Sequence, residues 1–460
     1  MTRHIAIIGG GFHGICSAYI LAKKGYKVSL IDTGKTLGGV MASIEHDGYI
    51  YDLGCHLFDN SYKKLSDLLK ELLSDKFVPH KTVYASIVNG IKTENTDAPN
   101  LANLGKARSA TILYELIEKI ISKTDTPIGS LADLVEANFG SSAAIALNEI
   151  YHKKTRSTFE ALSSTVFDTI LPSRLYFLED NIARFLKKHP ELDQKIAVES
   201  MHNPLKFYGN RIDVSKTDYR QFYPAERGMR GFCEQAEKKL ADIGVKIYKS
   251  TFCQKIDHSD KGCHISLIDQ SPQKTWQMNS DVVFWAGDVS KLAEIITYPE
   301  DLAAYNQPVA LAVFYFNVPE DQIGKYSYIH NFDTKDLISR VSAPSRYGSA
   351  VAPKGMGYVC AELTTKVGSD IWQNTEAKTA AVWQEILDMG FVKPATKMAE
   401  PFILKTPSGY MLKKKGYKKA FNSFKEFTKD KPNIYFPENG SFARADIFAD
   451  VEKIIDALDP

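Results

Sequence analysis

The chain has 460 residues, 44% of them hydrophobic and 24% charged, with a formal net charge of +2 and a pI near 8.0. That length exceeds one simple core and predicts two or three domains; the even charge offers no basic stripe for nucleic acid, and no apolar run reaches the length of a membrane span. Six scattered cysteines (Cys16, Cys55, Cys233, Cys253, Cys263 and Cys360) form no CxxC pair, so neither a zinc site nor a disulfide framework is indicated. The first strand begins at His4 or Ile5, which leaves no room for a cleavable signal peptide, and a reduced, cytoplasmic, soluble protein is expected.

Ile5-Ala-Ile-Ile-Gly-Gly-Gly-Phe-His-Gly14 reads as a buried strand running into a glycine turn and a helix. Gly9-x-Gly11-x-x-Gly14 has dinucleotide-fold spacing: one glycine for the turn, one for close approach of a pyrophosphate, one for helix-on-strand packing. Ile15, Ala18, Tyr19 and Ala22 recur at helical spacing, and Lys23-Lys24-Gly25 closes the helix. Lys27-Val-Ser-Leu-Ile-Asp32 is a second strand ending in an acid, at the distance expected for a carboxylate that binds ribose hydroxyls. A lone GxGxxG is a weak signal, but strand, helix, strand and acid follow here in order. Gly38 and Gly39 then let a second stretch of backbone come close to the cofactor.

Asp52-x-Gly54-x-His56 completes a pattern that resembles the FAD-dependent superfamily of amine oxidases. Its relatives include protoporphyrinogen oxidases, phytoene desaturases and UDP-galactopyranose mutases. The chain departs from many members at Val40, where an arginine or asparagine usually follows the glycine pair. The resemblance implies an α/β fold in which a Rossmann-like FAD-binding domain of GR2 type is interleaved with a mixed α+β substrate-binding cap.

Further along, Leu65, Leu68, Leu69, Leu72 and Leu73 keep helical spacing, and Thr82–Val88 is strand-like before an Asn89-Gly90 turn. The segment to about 215 reads as helical and loop-like, with Leu131–Phe139 a clear amphipathic piece. Tyr151-His-Lys-Lys-Thr155 resembles a lysine-containing substrate-side segment of the mutases; a solvated basic helix end is the bland alternative. From Tyr223 the pattern strengthens: a Pro–Gly loop, an amphipathic helix stopped by Gly244, a hairpin over Phe252–Asp257 and Cys263–Asp269, and a buried strand ending at Gly287. By the resemblance, backbone near Phe252 or Cys253 holds the adenine. Val309–Phe316, Tyr326–His330, Ile338–Pro344 and Gly357–Glu362 resemble the mutase-like substrate sheet. Arg340 there could offer a planar fork to phosphate or carboxylate, or form a surface ion pair.

The last stretch, Asn433–Phe436 and the helix over Val451–Leu458, resembles the superfamily's C-terminal flavin segment, with Gly440, Phe442, Asp446 and Ile447 in register. Pro437 and Glu438 stand where the mutases carry Gly-Arg, and Arg444 replaces a tyrosine. The expected domains are 1–75, 216–292 and 402–460 for FAD, and 76–215 and 293–401 for the cap. The resemblance implies FAD held by Gly9, Gly11, Gly14, Asp32, Gly38, Gly39, Cys253, Gly440, Asp446 and Ile447. His56 is the main candidate beside the flavin; Tyr328, Arg340 and Tyr410 are candidates for substrate contact. No role is expected for His13, and Cys55 reads as a buried thiol. The expected activity is hydride transfer from a small molecule, with a nucleotide sugar or glycan precursor as the substrate class. A mutase using reduced flavin, and a flavin-free partner-binding protein of the same fold, are the alternatives. No nucleic-acid partner, no integral membrane segment and no metal are expected, and oligomeric state stays open.

Overall fold

The computed structural model describes residues 2–60, 62–122, 127–198, 221–270, 273–348, 350–437 and 447–458. Its organising element is a five-stranded sheet in the order 246–248, 27–31, 4–8, 282–285 and 434–435, parallel throughout. Because both faces of a parallel sheet are covered, its strands are continuous apolar runs rather than alternating ones. Ile5 and Ile7 face one core with helix Phe12–Lys23, helix Gly228–Asp242 and the C-terminal helix Ile447–Leu458. Ala6 and Ile8 face the other, with an antiparallel meander over Thr251–Ser280 and helices Val289–Ile295 and Tyr417–Thr428. The meander's third strand, Gln273–Ser280, escapes the sequence reading because it is almost wholly polar, one face being solvated.

The second domain is a seven-stranded sheet in the order 402–413, 306–319, 356–365, 340–342, 328–331, 84–88 and 91–94. All of its pairings are antiparallel except that of Tyr328–Asn331 with Tyr84–Val88. Asn89 and Gly90 both take positive φ in the turn, as the Asn-Gly signal requires. One sheet face is apolar: Ala85, Ile329, Val341, Val359, Ala361 and Phe314 pack on helix Thr379–Asp388. Beside the sheet stand helices Lys106–Ser122, Leu131–Phe139 and Ser141–Thr155 around their own core, the middle one opened by a Ser130–Asp133 capping box.

Two expected boundaries shift. Helix Val289–Ile295 and Leu302 pack in the nucleotide-domain core, so the second excursion into the cap begins near Asn306 rather than at 293. Phe402–Lys413 pairs along most of strand Asn306–Pro319, so the excursion ends after Lys413 rather than at 401. Among the described residues all six cysteines are free, no group of side chains is suited to hold a metal ion, and no helix is long and apolar enough to cross a membrane.

Candidate dinucleotide and substrate site

The three glycines of the first turn have different physical reasons to be there. Gly9 takes φ +113°, and a Cβ would lie 3.2 Å from the Ala286 carbonyl carbon and the Gly287 nitrogen. At Gly14 a Cβ would lie 1.8 Å from the Gly9 oxygen, so only glycine lets the helix sit this close to its strand. Gly11 is the exception. Its φ of −73° suits any residue, and among the described residues a Cβ there would meet nothing within 4 Å. The chain itself gives no reason for that glycine; a group lying against its open side would. The helix it opens has no side-chain cap and no acid in its first turn, which leaves the positive end of the helix available to an anion.

The second glycine pair lies against the first. Gly38 N–H donates to the Gly10 carbonyl at 2.8 Å and takes φ +117°, while Val40 is 60% exposed beside it. Asp32 accepts from the backbone N–H groups of Gly10 (2.5 Å) and Gly34 (2.6 Å), which fixes the carboxylate at the carboxyl end of the sheet and leaves its remaining lone pairs for hydroxyl donors. Its own carbonyl accepts from Thr251 N–H at 2.9 Å, bringing Phe252 and Cys253 alongside. Phe252 is 47% exposed, and the strand bulges just past Cys253. The open side of Gly11, the free lone pairs of Asp32 and the backbone at residues 252–253 lie in one row, an arrangement with room for a dinucleotide.

Ile447 begins the C-terminal helix and is buried in the core. Gly440, Phe442 and Asp446 lie outside the described residues. His13, for which no role was expected, turns inward, with Nε2 3.1 Å from Asp450 Oδ2; it couples the glycine-turn helix to the C-terminal helix.

The other half of the site is the second face of the cap sheet, and it is polar. Strand register sets Ser86, His330, Arg340 and Glu362 in one row and Tyr84, Tyr328, Ser342 and Cys360 in the next. Arg340 donates to both carboxylate oxygens of Glu362, Nε at 2.6 Å and Nη2 at 2.7 Å. One edge of the expected fork is therefore engaged; among the described residues Nη1 is left over. Burial opposes the charge on Arg340, but Glu362 overrides it and keeps the guanidinium ionised. Tyr328 stacks on Tyr84 at 5.7 Å and meets His330 edge-on at 5.5 Å. Tyr410 donates to the Lys154 carbonyl, and Arg156 to that of Thr364. Lys154, His330, Arg340 and Tyr410 are each partly buried on this face and keep part of their surface exposed.

This face carries Lys154, Arg156 and Arg340 against Glu362, a surplus of cationic side chains. Lys154 and its neighbour Lys153 are not a solvated helix end, since Lys153 is 3% exposed. The sequence offered Lys154 only as one lysine of a possible substrate-side segment, and His330 and Glu362 went unrecognised there. The signal for two of them was there: the alternation Tyr328-Ile-His330 and Tyr358-Val-Cys-Ala-Glu362 puts polar residues on one face of a sheet whose other face is core.

The Asp52–His56 loop joins the halves. Gly54 takes φ +96°, and a Cβ there would lie 2.9 Å from Glu362 Oε1. Cys55 N–H donates to that same oxygen at 3.2 Å; its Sγ lies 3.2 Å from the Tyr347 hydroxyl, and burial pushes the thiol pKa up, as suits an inert cysteine. His56 Nε2 lies 3.1 Å from the Leu53 carbonyl. Asp52, buried below the loop, accepts from Ser43 Oγ (2.7 Å), the Met229 N–H (3.3 Å) and the Tyr223 hydroxyl.

A family model described as an NAD(P)-binding Rossmann-like domain matches residues 7–72. A 4,4'-diapolycopen-4-al dehydrogenase of Metabacillus indicus is 24% identical over 426 residues, 84% of this chain and 80% of that protein. A 4,4'-diaponeurosporene oxygenase of Staphylococcus aureus is 39% identical over 87 residues, 18% of either chain. Among solved structures, reduced UDP-galactopyranose mutase superposes with TM-score 0.73 at 17% identity, covering 100% of this chain and 94% of that one. A putative protoporphyrinogen oxidase from Exiguobacterium sp. 255-15 gives 0.65 at 14% identity, covering 100% and 99%. The chain shares the fold of these solved structures, and its N-terminal stretch carries a Rossmann-like dinucleotide-binding module.

Proposed function

We infer that this chain is an FAD-dependent oxidoreductase that takes a hydride from a polar, negatively charged small molecule, with nucleotide sugars and related glycan precursors as the substrate class. The observation that carries the cofactor is Gly11, whose missing side chain leaves open space that none of the described residues uses. Gly9, Gly11 and Gly14 would hold the pyrophosphate, Asp32 a ribose, and backbone at Cys253 the adenine. Gly38 and Gly39, with Gly440, Asp446 and Ile447, would lie along the rest of the cofactor. Bound flavin supplies a two-electron acceptor. The protein's part is to bind and orient the substrate against it, and the surplus of cationic side chains on the cap face favours an anionic substrate.

Two relatives carry names that point to carotenoid-type substrates. A wall bearing Lys154, His330, Arg340 and Glu362 would leave those groups desolvated against an apolar polyene, which costs several kcal/mol. The mutase reading draws on the full-length structural likeness; the replacement of its Gly-Arg pair by Pro437-Glu438 weighs against it.

Purified protein is expected to show a flavin absorbance spectrum that bleaches anaerobically on addition of an oxidisable nucleotide sugar. Bleaching by a polyene aldehyde alone would overturn the substrate class. Product formed only after dithionite reduction, with no bleaching, would establish the mutase.

His56 is the proposed ring neighbour. His56→Ala is expected to keep the yellow colour and to lower kcat by about 100-fold, within the range seen for loss of a proton-transfer group. An unchanged kcat would return His56 to a structural job at the Leu53 carbonyl.

A further inference from the structure

Helix Ser141–Thr155 ends in two adjacent lysines whose side chains do different things. Lys153 donates to the carbonyls of Asp333 (2.5 Å) and Ile338 (2.8 Å), which staples the loop between two cap strands. Lys154 reaches the polar cap face instead. Its Nζ lies 2.5 Å from His330 Nδ1 and 4.2 Å from the centre of the Phe332 ring, and Tyr410 grips its carbonyl.

A lysine placed so deep normally finds a carboxylate. Here Glu362, already held by Arg340, and Asp97 act on it only through space, while Arg340 and Lys153 oppose its charge. Burial, the largest influence, together with those two cations, pushes Lys154 down to about 7. Burial, then Lys154 and Arg340, hold His330 well below the ordinary histidine range, so its ring is neutral. The result is a partly exposed amine oriented by a neutral imidazole on the polar face of the cap sheet.

Resting on the oxidoreductase reading above, we propose that Lys154, oriented by His330, is the base that receives the substrate's hydroxyl or amine proton as the adjacent carbon gives up its hydride. The O–H or N–H bond breaks towards the Lys154 nitrogen, whose lone pair becomes the new N–H bond. The electron pair left on the substrate heteroatom forms C=O or C=N. The C–H pair departs as hydride to the flavin, which is the oxidant, and Lys154 becomes an ammonium.

The test follows flavin bleaching in single turnovers between about pH 5.5 and pH 9, a range that spans the ordinary limits for such a base. In the wild-type holoenzyme the rate should rise with pH and level off above about 7. Lys154→Met should slow bleaching by about 10²- to 10⁴-fold, lose that pH limb, and recover in part with added ethylamine. Lys154→Gln should behave alike and serves if the methionine variant folds poorly. A second readout does not depend on turnover: with ¹³Cε-labelled lysine, one NMR signal should titrate near pH 7 in the wild type and be missing from the variant. A Lys154→Met enzyme that bleaches at the wild-type rate with the same pH limb overturns the proposal, as does the lack of such a signal. If no candidate substrate bleaches the wild-type flavin, the oxidoreductase reading fails first and takes the proposal with it.

Discussion

Gly11→Val is expected to yield a folded, colourless protein. The substitution falls on a residue with φ −73°, and the new Cβ enters space with no atom of the described residues within 4 Å, so the turn and the helix behind it should form as before. That space is where the pyrophosphate would lie. Losing two charge-assisted hydrogen bonds to the phosphates removes about 3–6 kcal/mol, or about 10²- to 10⁴-fold in affinity. Circular dichroism and thermal unfolding of the variant should match the flavin-free wild type, while FAD titration should show no binding at concentrations that saturate the parent. Gly14→Ala is the contrasting control. Its methyl group would lie 1.8 Å from the Gly9 oxygen, so it should lower stability whether or not flavin is present. A Gly11→Val protein that keeps its full flavin content would remove the dinucleotide assignment.

The sequence was most legible where local rules and tertiary demands agree. The strand from His4, the glycine turn, the Asn89-Gly90 hairpin and the amphipathic helix Leu131–Phe139 each have a short-range signature, and each forms as read. The polar cap face was less legible because its meaning depends on what covers it. Alternation over Tyr328–His330 and Tyr358–Thr364 looks like a sheet with one solvated side, yet helix Ser141–Thr155 and the Asp52–His56 loop pack over that side and give its polar residues protein partners. Lys154 could not be told from a solvated helix end without knowing that His330, some 176 positions away, meets its amine. Arg340 shows the opposite case. Both of its expected uses depend on the neighbouring strand, and the register with Glu362 decides which edge of the guanidinium is taken.

Asp52 should prove the most sensitive single position for stability and for holding the two domains together. Its side chain accepts from Ser43, next to the second glycine pair, from Met229 at the start of helix Gly228–Asp242, and from Tyr223. Its backbone is held by the cap sheet, with the Tyr315 hydroxyl donating to its carbonyl at 2.7 Å and its own N–H donating to the Tyr358 hydroxyl at 3.4 Å. Asp52→Ala leaves the three side-chain donors unmet in a site with no solvent exposure, at a cost of about 4 kcal/mol, measurable by urea unfolding. Asp52→Asn should behave quite differently. Its amide oxygen can accept from Ser43 and Met229, and its amino group can donate to Tyr223 once that hydroxyl turns. Burial raises the Asp52 pKa from the ordinary 3.8 to about 6, so the fold favours the protonated acid. The stability this group contributes is therefore complete below about pH 4 and is lost as pH rises through 6, a change of about 3 kcal/mol at roughly 1.4 kcal/mol per unit. The asparagine variant removes that slope. Its stability relative to wild type should climb between pH 4 and pH 6 and then stay level, whereas the alanine variant should be the less stable protein throughout. If the asparagine difference is flat across that window, Asp52 is already ionised in the folded chain. The loop that sets Gly54 against Glu362 would then be held by a charged acid, not a neutral one.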